Sequence, residues 1–120
     1  MGKRISRFED LEVWKESMRL AIKVHRAFVK TRVFGLKDQI QRATVSVPSN
    51  IAEGFERHFN KEFIQYLYVA RGSCGEVRTQ LYLASALHLI EQPQGHSLIE
   101  DTRKVSAMLT MLIRTRRMNF

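Results

Sequence analysis

The side chains of this 120-residue chain that most readily do chemistry are four histidines, one cysteine and an excess of arginine. Helical di-iron centres need inward glutamates and paired Glu-x-x-His turns. The residues three positions before His25, His58, His88 and His96 are Ile22, Phe55, Ser85 and Pro93. That ligand set is absent. No two histidines are four apart and Cys74 has no second cysteine to share a zinc ion. The run Gly72-Ser73-Cys74-Gly75 is not a phosphate loop of the Walker or dinucleotide type. The reading is therefore no metal and no cofactor, with His25 and His88 on apolar seams as structural histidines.

One catalytic arrangement is left to weigh. All-helical ribonucleases of the HEPN type carry an arginine a few residues before a histidine, and Arg19 and His25 have that spacing. At about 100° per residue the two side chains stand about 120° apart on a continuous helix and do not converge on one phosphate. Leu20 also follows Arg19 where that family usually has a polar residue. A HEPN-like ribonuclease is the remote alternative; no catalytic residue is assigned and the chain is read as non-enzymatic.

Charge offers a second kind of chemistry. The formal net charge is +8. Residues 1–33 hold nine Lys/Arg against four Asp/Glu, residues 34–92 six against six, and residues 93–120 five against two. The excess sits at the two ends of the chain, and clustered cations release counterions when they meet a phosphate backbone. Lys15, Arg19, Lys23, Arg26 and Lys30 add a basic stripe on the first helix, read as a solvated face. The start, MGKRIS, fits the short pattern for myristoylation of Gly2; it is read as a ragged basic terminus. With one cysteine, no signal-peptide run and no membrane-length apolar stretch, the expectation is a cytoplasmic protein with no membrane partner.

These residues must be positioned by helices. The length suits one domain over residues 1–120, able to bury about two-thirds of its unfolded surface. Apolar spacings of three and four predict helices over residues 9–31, 36–56, 61–91 and 97–116. Leu11, Trp14, Met18, Ala21, His25 and Phe28 form the first seam, with Val13, Leu20, Val24 and Ala27 as an apolar flank. That arc is wider than one partner helix requires. Phe63, Leu67, Ala70, Cys74, Val77, Leu81, Ala84 and His88 form the most regular seam, while Ile64, Tyr68 and Tyr82 supply apolar surface beside it. Gly72 and Gly75 inside it predict a close helix crossing. Asn60 reads as an N-cap, residues 92–96 as a loop, and Ser97 with Glu100 as a capping box opening the last helix, whose Leu98, Val105, Leu109 and Leu112 point inward. Short links give an all-α, antiparallel up-down-up-down four-helix bundle. In that topology Lys3, Arg4 and Arg7 approach Arg114, Arg116 and Arg117 at one pole.

The second helix contains Pro48, which removes a backbone donor and predicts a kink. Thr44, Ser46, Ser49 and Asn50 surround it and can bond freed backbone groups. Gly54 reads as a left-handed cap. Gln39, Arg42, Ser46, Asn50 and Glu53 make a polar line at helical spacing, read as a hydrogen-bonded structural line.

This stretch, QIQRATVSVPSNIAEGFER, resembles the run Q-x-x-R-A-x-x-S-x-P-x-N-I-A-E-G-x-x-R of the 23S rRNA intervening-sequence proteins. The match falls on Gln39, Arg42, Ala43, Ser46, Pro48, Asn50, Ile51, Ala52, Glu53, Gly54 and Arg57. The opening from Phe8 to Ala21 and the run Gly72, Ser73 and Glu76 are similar to that family as well; the link TRVFGL is shorter than its Phe-Pro-containing segment. The resemblance implies an antiparallel four-helix bundle assembled as a homopentameric ring, with no established enzyme activity. Related bundles serve as accessory proteins to reverse transcriptases of diversity-generating retroelements.

The expected function is thus a homopentamer that binds RNA or DNA without base-specific readout, using Lys3, Arg4, Arg7, Arg114, Arg116 and Arg117. The alternative is a protein-interaction scaffold or reverse-transcriptase accessory subunit whose charge serves solubility.

Overall fold

A computed structural model describes residues 5–120 and contains four α-helices with no strand among them: α1 (Glu12–Ala27), α2 (Phe34–Glu56), α3 (Asn60–Ala86) and α4 (Gln92–Asn119). Gly2, Lys3 and Arg4 lie outside the described residues. A 3-10 turn, Phe8–Asp10, precedes α1 and packs on α1 and α2. The helices contact one another in a closed cycle, α1 to α2, α2 to α3, α3 to α4 and α4 to α1, in a body 47 Å long and 22 by 19 Å across. No helix among the described residues is long and apolar enough to cross a membrane.

The core is one cluster in which every helix contributes residues at helical spacing. In and beside α1, Leu11, Ala21 and Phe28 of the expected seam are buried together with Val13, Leu20 and Val24 of the flank, while Trp14, Met18 and His25 of the seam are only half-buried. The inner face thus draws on both apolar rows, and the rest of the wider arc opens outward. On α2, Ile40, Ala43, Val47 and Ile51 are buried; on α3 the seam from Phe63 to Ala84 is buried as its period predicts. Helix α4 turns in Leu98, Val105, Leu109 and Ile113, while Leu112 is half-buried beside it. The buried hydroxyls of Ser17, Thr44 and Thr102 donate to carbonyls three residues back, at 2.8, 3.0 and 2.6 Å, so their burial leaves no lost bond.

Helix ends differ from expectation for identifiable reasons. Helix α1 stops at Ala27 rather than residue 31, ahead of Val29, Thr31 and Val33, whose β-branching weakens helix. Lys37 donates to the freed Val29 carbonyl at 3.1 Å and α2 starts two residues early at Phe34. Helix α3 ends at Ala86 rather than 91: His88 adopts φ 58° and its amide donates to the Ser85 carbonyl, while the Leu89 amide donates to that of Ala84, a Schellman closure. His88 is therefore exposed, not on the seam. Residues 92–96, expected as a loop, are the first turn and a half of α4. Pro93 is tolerated there because its missing N–H needs no partner. Gly95 lets that turn press on Ser85 and Ile90, where a Cβ would meet the Ser85 hydroxyl unless it rotates away.

Three glycine and cap readings are likewise corrected. Gly54 is not a left-handed cap; it is helical and buried, and a Cβ on it would lie 2.5 Å from that of Tyr66. His58, at φ 67°, closes α2 instead. Asn60 is not the cap of α3, whose N-cap is Phe59. Gly72 and Gly75 mark no close crossing, since a Cβ on either meets nothing within 4 Å.

Candidate nucleic-acid interface

The motif stretch in α2 divides in two. Arg42 pairs with Asp38 at 3.2 Å on an exposed face, and Gln39 is exposed beside it. Further along, Ser46 and Ser73 share a hydrogen bond of 2.8 Å across α2 and α3, and the Asn50 amide donates to the Ser46 hydroxyl at 2.9 Å and its carbonyl at 2.7 Å. Glu53 accepts from the Tyr66 hydroxyl at 3.0 Å and from Arg57 at 3.2 Å, with the guanidinium 5.3 Å over the Tyr66 ring. That hydrogen bond to Glu53 raises the Tyr66 pKa above the ordinary tyrosine value, with burial adding to it. Helix α2 is continuous across Pro48. The side chains near the proline bond the carbonyls of Gln41 and Ser46 rather than that of Thr44. The half from Ser46 to Arg57 clamps α2 to α3; the half from Gln39 to Arg42 faces solvent.

Of the residues named for phosphate contact, the four that are described have different surroundings. Arg7 pairs with Asp10 at 3.2 Å in the turn packed on α1 and α2. Arg116 bonds both ways with Asn60, its Nε donating to Oδ1 at 2.7 Å and its carbonyl accepting from Nδ2 at 2.9 Å. Its guanidinium lies 4.9 Å over Phe63 and 3.8 Å over Phe120, so Arg116 ties the end of α4 to the start of α3. Arg114 and Arg117 line a groove with Tyr68, Arg71, Thr110, Ile113 and Met118. The structure gathers Arg114 and Arg117 and sends Arg7 and Arg116 elsewhere.

That groove is one end of a longer seam between α3 and α4. On α3 the spacing of Ile64, Tyr68, Arg71, Gly75, Arg78 and Tyr82 alternates four and three, so these residues share one face beside the buried one. Arg117 donates to the Tyr68 hydroxyl at 3.2 Å; Arg71 donates to Thr110 Oγ1 at 3.2 Å and lies 4.8 Å over the Tyr68 ring. Arg78 donates to Thr102 Oγ1 at 3.1 Å and Ser106 Oγ at 2.9 Å. Arg103 donates to the Tyr82 hydroxyl and to Glu100, each at 2.7 Å. Among the described residues, no carboxylate lies within ion-pair distance of Arg71, Arg78, Arg114 or Arg117. Neutral hydroxyls orient Arg71, Arg78 and Arg117 without cancelling their charge.

Sequence reading missed Arg71 and Arg78 because they fall in the stretch of balanced charge, and took Tyr68 and Tyr82 for apolar surface. Their common face was the available signal, together with the lack of any acidic residue from Thr102 to Phe120. Under this seam the Cys74 thiol donates weakly to the Thr102 carbonyl at 3.1 Å. Burial pushes its pKa up, which keeps it a neutral thiol.

Other candidate features are disposed differently. Arg19 pairs with Glu16 on the outside of α1, whereas the His25 ring is held by the Ala21 carbonyl at 2.8 Å. His25, Trp14, Met18, Ile22, Val45 and Pro48 line an apolar groove of about 570 Å³ between α1 and α2. Among the described residues no three His, Cys, Asp or Glu side chains converge as a metal site.

Comparison with known proteins gives the lineage of this bundle. A crystal structure from Bacteroides thetaiotaomicron, of a protein with unknown function from the S23 ribosomal protein family, matches with a TM-score of 0.80. At 24% identity over 86% of this chain and 96% of that one, the likeness establishes the fold alone. No curated protein matches the chain. The family description "23S rRNA-intervening sequence protein" fits residues 9–111, nearly the whole chain and all of the motif in α2. The chain belongs to the 23S rRNA-intervening sequence protein family.

Proposed function

We propose that this protein is a non-enzymatic, up-down-up-down four-helix bundle that forms a homo-oligomer and binds the phosphate backbone of RNA or DNA without reading bases. The observation that carries the binding is the α3/α4 seam, where hydroxyls orient Arg71, Arg78 and Arg117, Arg114 lines the same groove, and none of the four has a carboxylate partner among the described residues. A guanidinium in that state needs only water displaced to donate to a phosphate oxygen. Arg114 and Arg117 keep the role expected of them, Arg71 and Arg78 join them, and Arg116 is structural. The alternating helix direction is supported by interhelical pairs: Glu16 meets Lys104 and Lys23 meets Asp101, so rising numbers in α1 match falling numbers in α4.

Assembly is supported by the apolar groove between α1 and α2, which a single bundle leaves open to water. The family resemblance implies five copies, and repetition of the seam around a ring multiplies weak contacts by avidity. The same groove favours the second reading, a scaffold that contacts a protein such as a reverse transcriptase. Charge reversal separates the two. Replacing Arg71, Arg114 and Arg117 together by Glu abolishes retention of RNA and DNA in a low-salt gel shift while light scattering still finds the oligomer; unchanged retention would leave only the scaffold.

A further inference from the structure

We propose that the α3/α4 seam takes a single strand of RNA or DNA rather than a duplex, with bases stacking at two stations, Tyr68 and Tyr82. The proposal rests on the polyanion reading above and names its substrate. Each station is an exposed tyrosine whose hydroxyl accepts a hydrogen bond from an arginine of α4, Arg117 for Tyr68 and Arg103 for Tyr82. The tyrosines are 39% and 50% exposed, so they are not core residues reaching outward. Arg71 backs the Tyr68 ring at 4.8 Å. A ring tethered at its hydroxyl loses little further freedom when a base stacks on it.

The stations are fourteen residues apart, four turns of continuous helix, and thus on one face about 21 Å from each other. That distance is about six nucleotides at a stacked spacing of about 3.4 Å. Arg71 and Arg78 lie between them on the same helix face. So does Gly75, beside which a Cβ meets nothing within 4 Å, so a backbone has room to approach. Cations spaced along a groove with aromatic platforms are what a single strand requires. A duplex keeps its bases stacked inside and has no use for the two rings. A purely electrostatic surface has no use for them either.

The test is fluorescence anisotropy with a labelled strand of about 12 nucleotides, as RNA and as DNA, single and annealed to its complement. Wild-type protein is expected to bind the single strand at least about ten-fold more tightly than the duplex. Tyr68→Leu and Tyr82→Leu each weaken single-strand binding by about 5-fold or more, whereas Tyr68→Phe and Tyr82→Phe retain most of it because the π-face remains. Equal affinity for duplex and single strand in the wild type, or leucine variants that bind like wild type, would overturn the proposal and leave the polyanion reading standing. Binding of neither form at low salt would overturn both. The wild-type comparison involves no substitution, so it decides the matter even where a variant folds poorly.

Discussion

Two basic surfaces run along this bundle, and they differ in what holds their cations. On α1, Lys15 is paired with Glu12, Arg19 with Glu16 and Lys23 with Asp101, and Lys104 of α4 reaches Glu16 from the side. On the α3/α4 seam, Arg71, Arg78 and Arg117 are held by Thr110, Thr102, Ser106 and Tyr68. Exposed ion pairs add little stability, about 0–1 kcal/mol each, but they neutralise the field that an approaching phosphate meets. Three of the five cations of the α1 stripe are thus compensated by carboxylates, while Arg26 and Lys30 have no ion pair among the described residues. What marks a polyanion site is how the cations are compensated, not how many there are.

The largest expected effect breaks the seam while sparing α1. Glu at positions 71, 114 and 117 lowers affinity for nucleic acid by about 100-fold or more at low salt, while Gln at Lys15, Arg19 and Lys23 changes it by less than about 3-fold. Equal losses from the two sets, measured by anisotropy, would erase the distinction between the surfaces. Next come the glycines, which repeat the contrast between closed and open faces. Gly54→Ala drives a Cβ to 2.5 Å from that of Tyr66, which no side-chain rotation relieves, and destabilises by about 1–3 kcal/mol in urea titration. Gly75→Ala, on the open seam, stabilises instead by about 0.5–1 kcal/mol.

A smaller effect converts one surface into the other. Gly75→Glu places a carboxylate between Arg71 and Arg78, as Glu16 lies among the cations of α1. Affinity falls by about 2- to 5-fold with no loss of helix by circular dichroism. Smallest is a pH effect at the α2/α3 clamp. The Tyr66 pKa is raised by its bond to Glu53, so that contribution is fully present below the ordinary tyrosine pKa and is lost as pH rises through the raised value. The melting difference between wild type and Tyr66→Phe therefore disappears in alkaline buffer and persists at neutral pH.

Much of the fold was legible because burial follows period. The α3 seam was read correctly from Phe63 to Ala84, since its rhythm is unbroken and its neighbours lie on both sides. In α1 two apolar rows compete, and period alone does not say which positions face α2 and α4 and which face water, which is why it assigns Trp14 and Met18 to the core. Ends were misread where a tertiary contact overrides local signals: Gly95 against Ser85 makes helix out of a loop composition, and His88 adopts a backbone angle usually left to glycine. The site was half legible. Arg114 and Arg117 stood out by charge, but Arg71, Arg78 and their hydroxyl partners on α4 are up to 39 residues apart and meet only across the α3/α4 contact.

In the proposed function the seam, and not the basic stripe of α1, carries the phosphate contacts. The salt dependence of single-strand binding measures it most directly, since each contact contributes about −0.7 to the slope of log K against log salt. Single Gln substitutions at Arg71, Arg78, Arg114 and Arg117 are predicted each to make that slope shallower by about 0.7, and Gln at Lys15 or Lys23 to leave it unchanged. A slope that does not move for the seam variants, or that moves equally for those on α1, would contradict the account.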